Sequence, residues 1–142
     1  GAVAINYNTE DFVERISTLT GGRGVDVILD IVGGPYIARH LASLARDGRL
    51  VMIGFMGGTE AAFDARHIIL RRLTITGSTL RARSIEEKGA IARSLETHIW
   101  PLLARGQARP IIHATFPLER AADAHRALDR GHVGKLVLTT DA

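Results

Sequence analysis

Three turns in this chain combine residue types suited to holding a ligand against backbone. Gly33 and Gly34 follow the apolar run 25–32; Gly54, Phe55 and Met56 follow 49–53; Gly77, Ser78 and Thr79 follow 73–76. Glycine lets a main chain bend sharply or approach a partner closely. Serine and threonine hydroxyls both donate and accept, which suits an amide. Each turn has a plainer reading: a tight glycine turn, an aromatic core plug at Phe55, a polar turn at Ser78. Covalent and metal chemistry find little support. The chain has no cysteine, and its six histidines form no H-E-x-x-H pattern. These histidines read as surface or interface residues. No G-x-S-x-G elbow occurs, so Ser78 lacks the context of a nucleophile. No catalytic residue and no metal ligand is assigned.

The elements that must position these turns follow from periodicity. Residues 2–7 read as a strand ending at Tyr7, on the side where open α/β sheets take ligands. Asn8 or Thr9 then caps a helix with Glu10 and Asp11 in its first turn, stopped by Gly21 and Gly22. Residues 25–32 are apolar apart from Asp26 and Asp30, as in a strand covered on both faces. Pro35 opens a helix that buries Ile37, Leu41 and Leu44 and ends at Gly48. Strands follow at 49–53 and 73–76, separated by a short helix capped by Asp64. Ser84 and Glu87 form a capping box for a long helix with Ile91, Leu95, Ile99 and Leu102 on one face, which Pro101 kinks or ends. An isolated strand at 111–116, a helix at 117–130 and a strand at 136–140 close the chain.

This alternation is the cadence of a parallel α/β sheet. The expected fold class is α/β: a truncated Rossmann-like parallel sheet with helices on both faces, plus a C-terminal helix–strand tail. No G-x-G-x-x-G turn appears, although such folds carry it at the first strand–helix junction. The chain opens at Gly1 inside an apolar run, so the first strands are expected upstream.

Composition narrows the class further. With 142 residues, 46% apolar and 5% aromatic, the chain has the size and make-up of one globular domain. A net charge of +3, spread along the chain, is too diffuse for a nucleic-acid footprint but suits a partner carrying phosphates. No run reaches the about 18 apolar residues of a membrane span, so neither membrane nor nucleic acid is expected as a partner. A cytoplasmic location is compatible with the absence of cysteine.

The runs Gly1-Ala-Val-Ala-Ile-Asn-Tyr7, Gly21-Gly-Arg-Gly-Val-Asp-Val-Ile-Leu-Asp-Ile-Val-Gly-Gly34 and Gly48-Arg-Leu-Val-Met-Ile-Gly54 resemble the zinc-independent quinone oxidoreductases. These are a branch of the medium-chain dehydrogenase/reductase superfamily. Gly77-Ser-Thr-Leu-Arg-Ala-Arg83 is similar to the p53-inducible subgroup, and Phe116 to His125 and Gly134 to Leu138 match the family's C-terminal helix and strand. The resemblance spans essentially the whole chain. It implies NADP(H) as cofactor and hydride transfer to a quinone or enone, with orientation and exclusion of water as the protein's contribution. It also implies that Tyr7 and Arg130 lie near the adenosine phosphate. For Arg130, capping of a helix end is the plainer role. Gly33 and Gly34 would approach the cofactor, Gly54, Phe55 and Met56 the nicotinamide ribose, and Gly77, Ser78 and Thr79 the carboxamide. Arg71, Arg72, Arg81 and Arg83 read as solvated edge charges.

The domain expectation is a partial dinucleotide-binding domain at 1–104, followed by a segment at 105–142 that packs on a catalytic domain outside this chain. The edge strand 73–76 is expected to pair with its twin in a homodimer. Two alternatives stand beside this reading. One is a portion of a zinc-dependent alcohol dehydrogenase; the other is a non-catalytic, self-associating module.

Overall fold

A computed structural model describes residues 2–140. It divides into two compact units, Gly1–Arg83 and Ser84–Ala142. The packing boundary therefore falls at the start of the capping box, ahead of the 104/105 boundary drawn from sequence.

In the first unit, α1 (Phe12–Leu19), β1 (Val25–Asp30), α2 (Tyr36–Ser43), β2 (Leu44–Met52), α3 (Arg66–Arg71) and β3 (Thr74–Gly77) follow in order. The strands form one parallel sheet in the order β1-β2-β3. The expected strand at 2–7 is absent. Residues 2–6 have no regular structure, and no described strand lies beside them to supply a ladder. The cap of α1 also moves. The Asn6 carbonyl accepts from the Thr9 and Glu10 amides, which closes a separate turn. Asp11 is the N-cap, its Oδ1 accepting from Val13 N at 2.7 Å and Glu14 N at 3.3 Å.

Helix α2 ends at Ser43, earlier than Gly48. Leu44 is already extended (ψ 141°) and pairs with Val25. The register then shifts across 45–48, where Asp47 takes a left-handed φ of 62°. One guanidinium explains the early stop. Arg71 Nη1 donates to the carbonyls of Ala42 at 3.0 Å and Leu44 at 2.9 Å, satisfying acceptors at the helix end. At α3 the N-cap position falls to Ala65, while Asp64 accepts from the Arg66 amide at 2.9 Å.

The core of this unit is Ile37, Leu41, Leu44, Leu50 and Leu73, with Ile28, Met52, Ile68 and Ile75 packed against it. Alternation places Ile28 and Leu50 toward the helices. Val27 and Leu29, on the other face of β1, are exposed, so this unit itself covers one face of its sheet. Each fully buried leucine contributes about 1.5–3 kcal/mol.

The second unit contains α4 (Ile85–His98), α5 (Trp100–Ala104), β4 (Ile112–Pro117), a 3₁₀ turn (Leu118–Arg120), α6 (Ala121–Leu128) and β5 (Lys135–Thr139). The Ser84–Glu87 capping box is present in both directions. Pro101 sits in the first turn of α5, and the long helix breaks at Ile99. Strand β4 is not isolated; it pairs in parallel with β5, giving a β4–α6–β5 crossover. The expected helix at 117–130 opens as a 3₁₀ turn, because Pro117 is extended (ψ 150°), and it ends at Leu128. Ala124 is buried within this unit, while Leu128 stays exposed.

Candidate functional site

A parallel sheet ends all its strands on one side, so the loops that follow them gather there. In the first unit, those loops surround a cleft of 790 Å³. Gly33 and Gly34 come from the loop after β1, Gly54, Phe55 and Met56 from that after β2, and Ser78 and Thr79 from that after β3; Gly77 ends β3 itself. Ile37, Met52 and Ile53 supply further apolar lining. Tyr7 does not line this cleft; it is exposed in the turn before α1. Arg130 belongs to the second unit, in the turn after α6, where its amide donates to the Ala127 carbonyl.

The glycines have a specific reason to be here. A Cβ on Gly33 would stand 2.9 Å from the Gly58 carbonyl oxygen, and one on Gly34 would stand 2.5 Å from that of Gly57. Both residues also have left-handed φ, 66° and 51°. The turn after β1 thus lies directly on the loop after β2, and glycine is what lets the two backbones meet. The Gly57 amide donates to the Val32 carbonyl at 2.7 Å, and the Met56 amide to that of Ile31 at 3.2 Å. Phe55 and Met56 are 67% and 85% exposed, which removes the core-plug reading of Phe55. An exposed aromatic and thioether at the mouth of a glycine-walled cleft form an apolar surface for a flat ring.

At the third loop, the Ser78 amide donates to the Met52 carbonyl at 2.9 Å, while Ser78 Oγ accepts from Arg83 Nη2 at 3.0 Å. The site therefore offers the hydroxyls of Ser78 and Thr79 together with loop backbone. Arg81 also lines the cleft and is its one charged lining side chain among the described residues. Arg81 is exposed there, in keeping with its reading as a solvated charge.

Behind the cleft lies a group that the spacing of the turns did not single out. Asp30 ends β1 and is 2% exposed. Its Oδ1 accepts from Val32 N at 2.8 Å, and its Oδ2 accepts from Gly33 N at 3.0 Å. His40 Nε2 stands 3.2 Å from Oδ1 without hydrogen-bond alignment. His40 is 9% exposed and packs against the Phe12 and Tyr36 rings at centroid distances of 5.7 and 5.8 Å, which corrects its assignment to surface or interface. The signals were available. An aspartate three residues before a glycine turn is a side-chain turn former, and His40 falls three residues after Ile37 on the buried face of α2.

A second cavity of 480 Å³ lies at the opposite, amino ends of the strands, lined by Gly24, Leu44, Arg23, Arg46 and Arg71 among others. Arg71 is occupied there in capping α2, and Arg23 in a bidentate pair with Asp26. The carboxyl-end cleft is the candidate site. No group of three or more histidine, aspartate or glutamate side chains among the described residues could hold a metal ion.

Parallel strands, crossover helices and a glycine-walled cleft at the carboxyl edge define an α/β unit of the Rossmann type. Comparison with known proteins specifies it further. Residues 1–138 match the family described as zinc-binding dehydrogenase, and the chain belongs to that family, within the medium-chain dehydrogenase/reductase superfamily. Quinone oxidoreductase-like protein 2 of Bos taurus is 31% identical over 137 residues, covering 96% of this chain and 39% of the relative. A solved 2-haloacrylate reductase is 30% identical with a TM-score of 0.73, covering 97% of this chain and 43% of that one. The solved CurK enoyl reductase is 28% identical with a TM-score of 0.70, covering 92% of this chain and 39% of that one. This chain spans about two fifths of the length of the curated relatives it matches. Its relatives are oxidoreductases, and the family points to a nicotinamide cofactor. No described helix is long and apolar enough to cross a membrane.

Proposed function

We propose that this chain holds the nicotinamide end of NADP(H) for an oxidoreductase that transfers hydride to a quinone or an activated alkene. The observation carrying this reading is the convergence of three strand-end loops on one cleft with apolar walls and a polar corner. Phe55 and Met56 suit the face of a nicotinamide ring, while Ser78 and Thr79 suit its carboxamide. The glycine loops suit the ribose, because backbone rather than side chain faces the ligand. When bound, the cofactor supplies the hydride. The residues of this chain bind it, orient it and keep water from one side. The quinone class follows the name of the Bos taurus relative, and the activated-alkene class follows the words haloacrylate and enoyl in the names of the two solved reductases.

Tyr7 and Arg130 are proposed as contacts for the adenosine phosphate, and the strand β3 as the edge of a homodimer. Hydride transfer by this chain alone is expected to stay far below the about 10 s⁻¹ of an ordinary enzyme, since the relatives use more than twice its length. The reading is tested by titrating the chain with NADPH and following nicotinamide fluorescence. Saturable enhancement supports it. A flat response through millimolar NADPH contradicts it.

A further inference from the structure

We propose that Asp30 is a positioning residue for the cleft, fixing the Gly33–Gly34 turn with its two carboxylate oxygens while His40 backs it from α2. As a statement about the ligand, this rests on the nicotinamide reading; as a statement about the turn, it stands on geometry alone.

The two oxygens are divided between two amides. Oδ1 takes the Val32 N–H and Oδ2 takes the Gly33 N–H, so the carboxylate spans the first step of the turn. The peptide that follows is held from the other end, where the Gly33 carbonyl accepts from Tyr36 N at 3.1 Å as α2 begins. Between these anchors Gly33 and Gly34 adopt left-handed φ values and lie on Gly57 and Gly58. A carboxylate is the side chain that fits this task, because both its oxygens accept and neither donates. Asparagine keeps the shape but presents an NH₂ to one of the two amides. Burial sharpens the requirement, since an amide left facing a donor in a dry site loses a full hydrogen bond.

His40 completes the arrangement. Its ring fills the space behind Asp30 between Phe12 and Tyr36, and Asp30 is the charged group described against it. Neither imidazole nitrogen has an aligned partner. The ring therefore acts through its position beside Oδ1 and through its packing.

The experiment is residue-resolved amide hydrogen exchange on the whole chain, comparing wild type with Asp30→Asn, His40→Phe and the control Asp26→Asn. Asp26 lies on the same strand but is exposed and paired with Arg23. The expected result is at least tenfold faster exchange at Val32 or Gly33 in Asp30→Asn, with β2–β3 ladder amides unchanged. His40→Phe, which keeps an aromatic ring, should speed the same two amides several-fold, and Asp26→Asn should leave them as they are. Unchanged exchange at both amides in Asp30→Asn, or an equal rise across the whole sheet, overturns the proposal. If Asp30→Asn does not fold, His40→Phe decides by the same criterion. A parallel NADPH titration should show at least tenfold weaker binding for Asp30→Asn than for Asp26→Asn. Absence of NADPH binding by wild type contradicts the cofactor reading, while the exchange data still decide the role of Asp30.

Discussion

Gly34 lies so close to Gly57 that a Cβ on the first would stand 2.5 Å from the carbonyl oxygen of the second. The loops after β1 and β2 are thereby locked together by backbone, not by side chains. Gly34→Ala adds a clash with main chain and forces alanine into a left-handed φ of 51°. The two effects together should cost about 2–4 kcal/mol. Gly21→Ala is the control, since that residue has φ 60° with nothing within 4 Å, and it should cost only about 1–2 kcal/mol. Urea denaturation of both variants checks the difference, and equal losses would show that the loop contact is loose.

Acid should weaken the chain through its exposed carboxylates. The Val13 backbone amide, with Glu14 and Arg39, holds the Asp11 carboxyl below its ordinary value. Arg23 does the same for Asp26, Arg66 for Asp64 and Arg120 for Asp123. A carboxyl with a depressed folded pKa binds its proton more readily when unfolded. Its contribution is therefore present above the ordinary value of 3.8 and lost as pH falls through the lower folded value. Thermal melts should be flat from pH 7 to 5 and decline below about pH 4. Removing Asp11 by Asp11→Asn should reduce that decline.

The proposed phosphate role of Arg130 concerns cofactor choice. In a protein that restores the remaining length of the relatives, Arg130→Ala should weaken NADPH use while leaving NADH use nearly unchanged. Losing one charge-assisted contact is worth about 1.5–3 kcal/mol, or roughly tenfold or more in discrimination. Comparison of kcat/KM for the two cofactors measures it. Equal losses would make Arg130 a structural residue.

Self-association is expected through β3. This strand is an edge of the β1-β2-β3 sheet, and Thr74 and Thr76 are exposed along it. An unblocked β-branched edge offers unpaired backbone groups to a second strand, and a two-fold contact closes the pair. Sedimentation at micromolar concentration should give a dimer, and Ile75→Pro should dissociate it by removing a donor and bending the edge. A monomeric wild type contradicts the proposal.

The apolar runs made β1 and β3 legible, each followed by glycine, and helical spacing of Ile37 and Leu41 made α2 legible. The strand expected at 2–7 could not form from its own residues, since a strand requires a neighbour and none is described beside it. The end of α2 was misplaced because Arg71, distant in sequence, supplies its cap. The cleft turns were visible as glycines after apolar runs. Their reason was not, since the contact of Gly33 and Gly34 with Gly57 and Gly58 is made only in three dimensions. Asp30 read as a polar interruption of an apolar run and His40 as a surface or interface residue, until burial brought them together.

The most direct test of the central claim is a residue-resolved NMR titration of the chain with reduced nicotinamide mononucleotide, and separately with adenosine monophosphate. The nicotinamide nucleotide alone should shift the amides of Gly33, Gly54, Phe55, Gly77, Ser78 and Thr79, even at the weak affinity expected of half a cofactor, about 1 mM or poorer. No shifts at these residues, or the same shifts from adenosine monophosphate, would contradict the assignment of the cleft to the nicotinamide end.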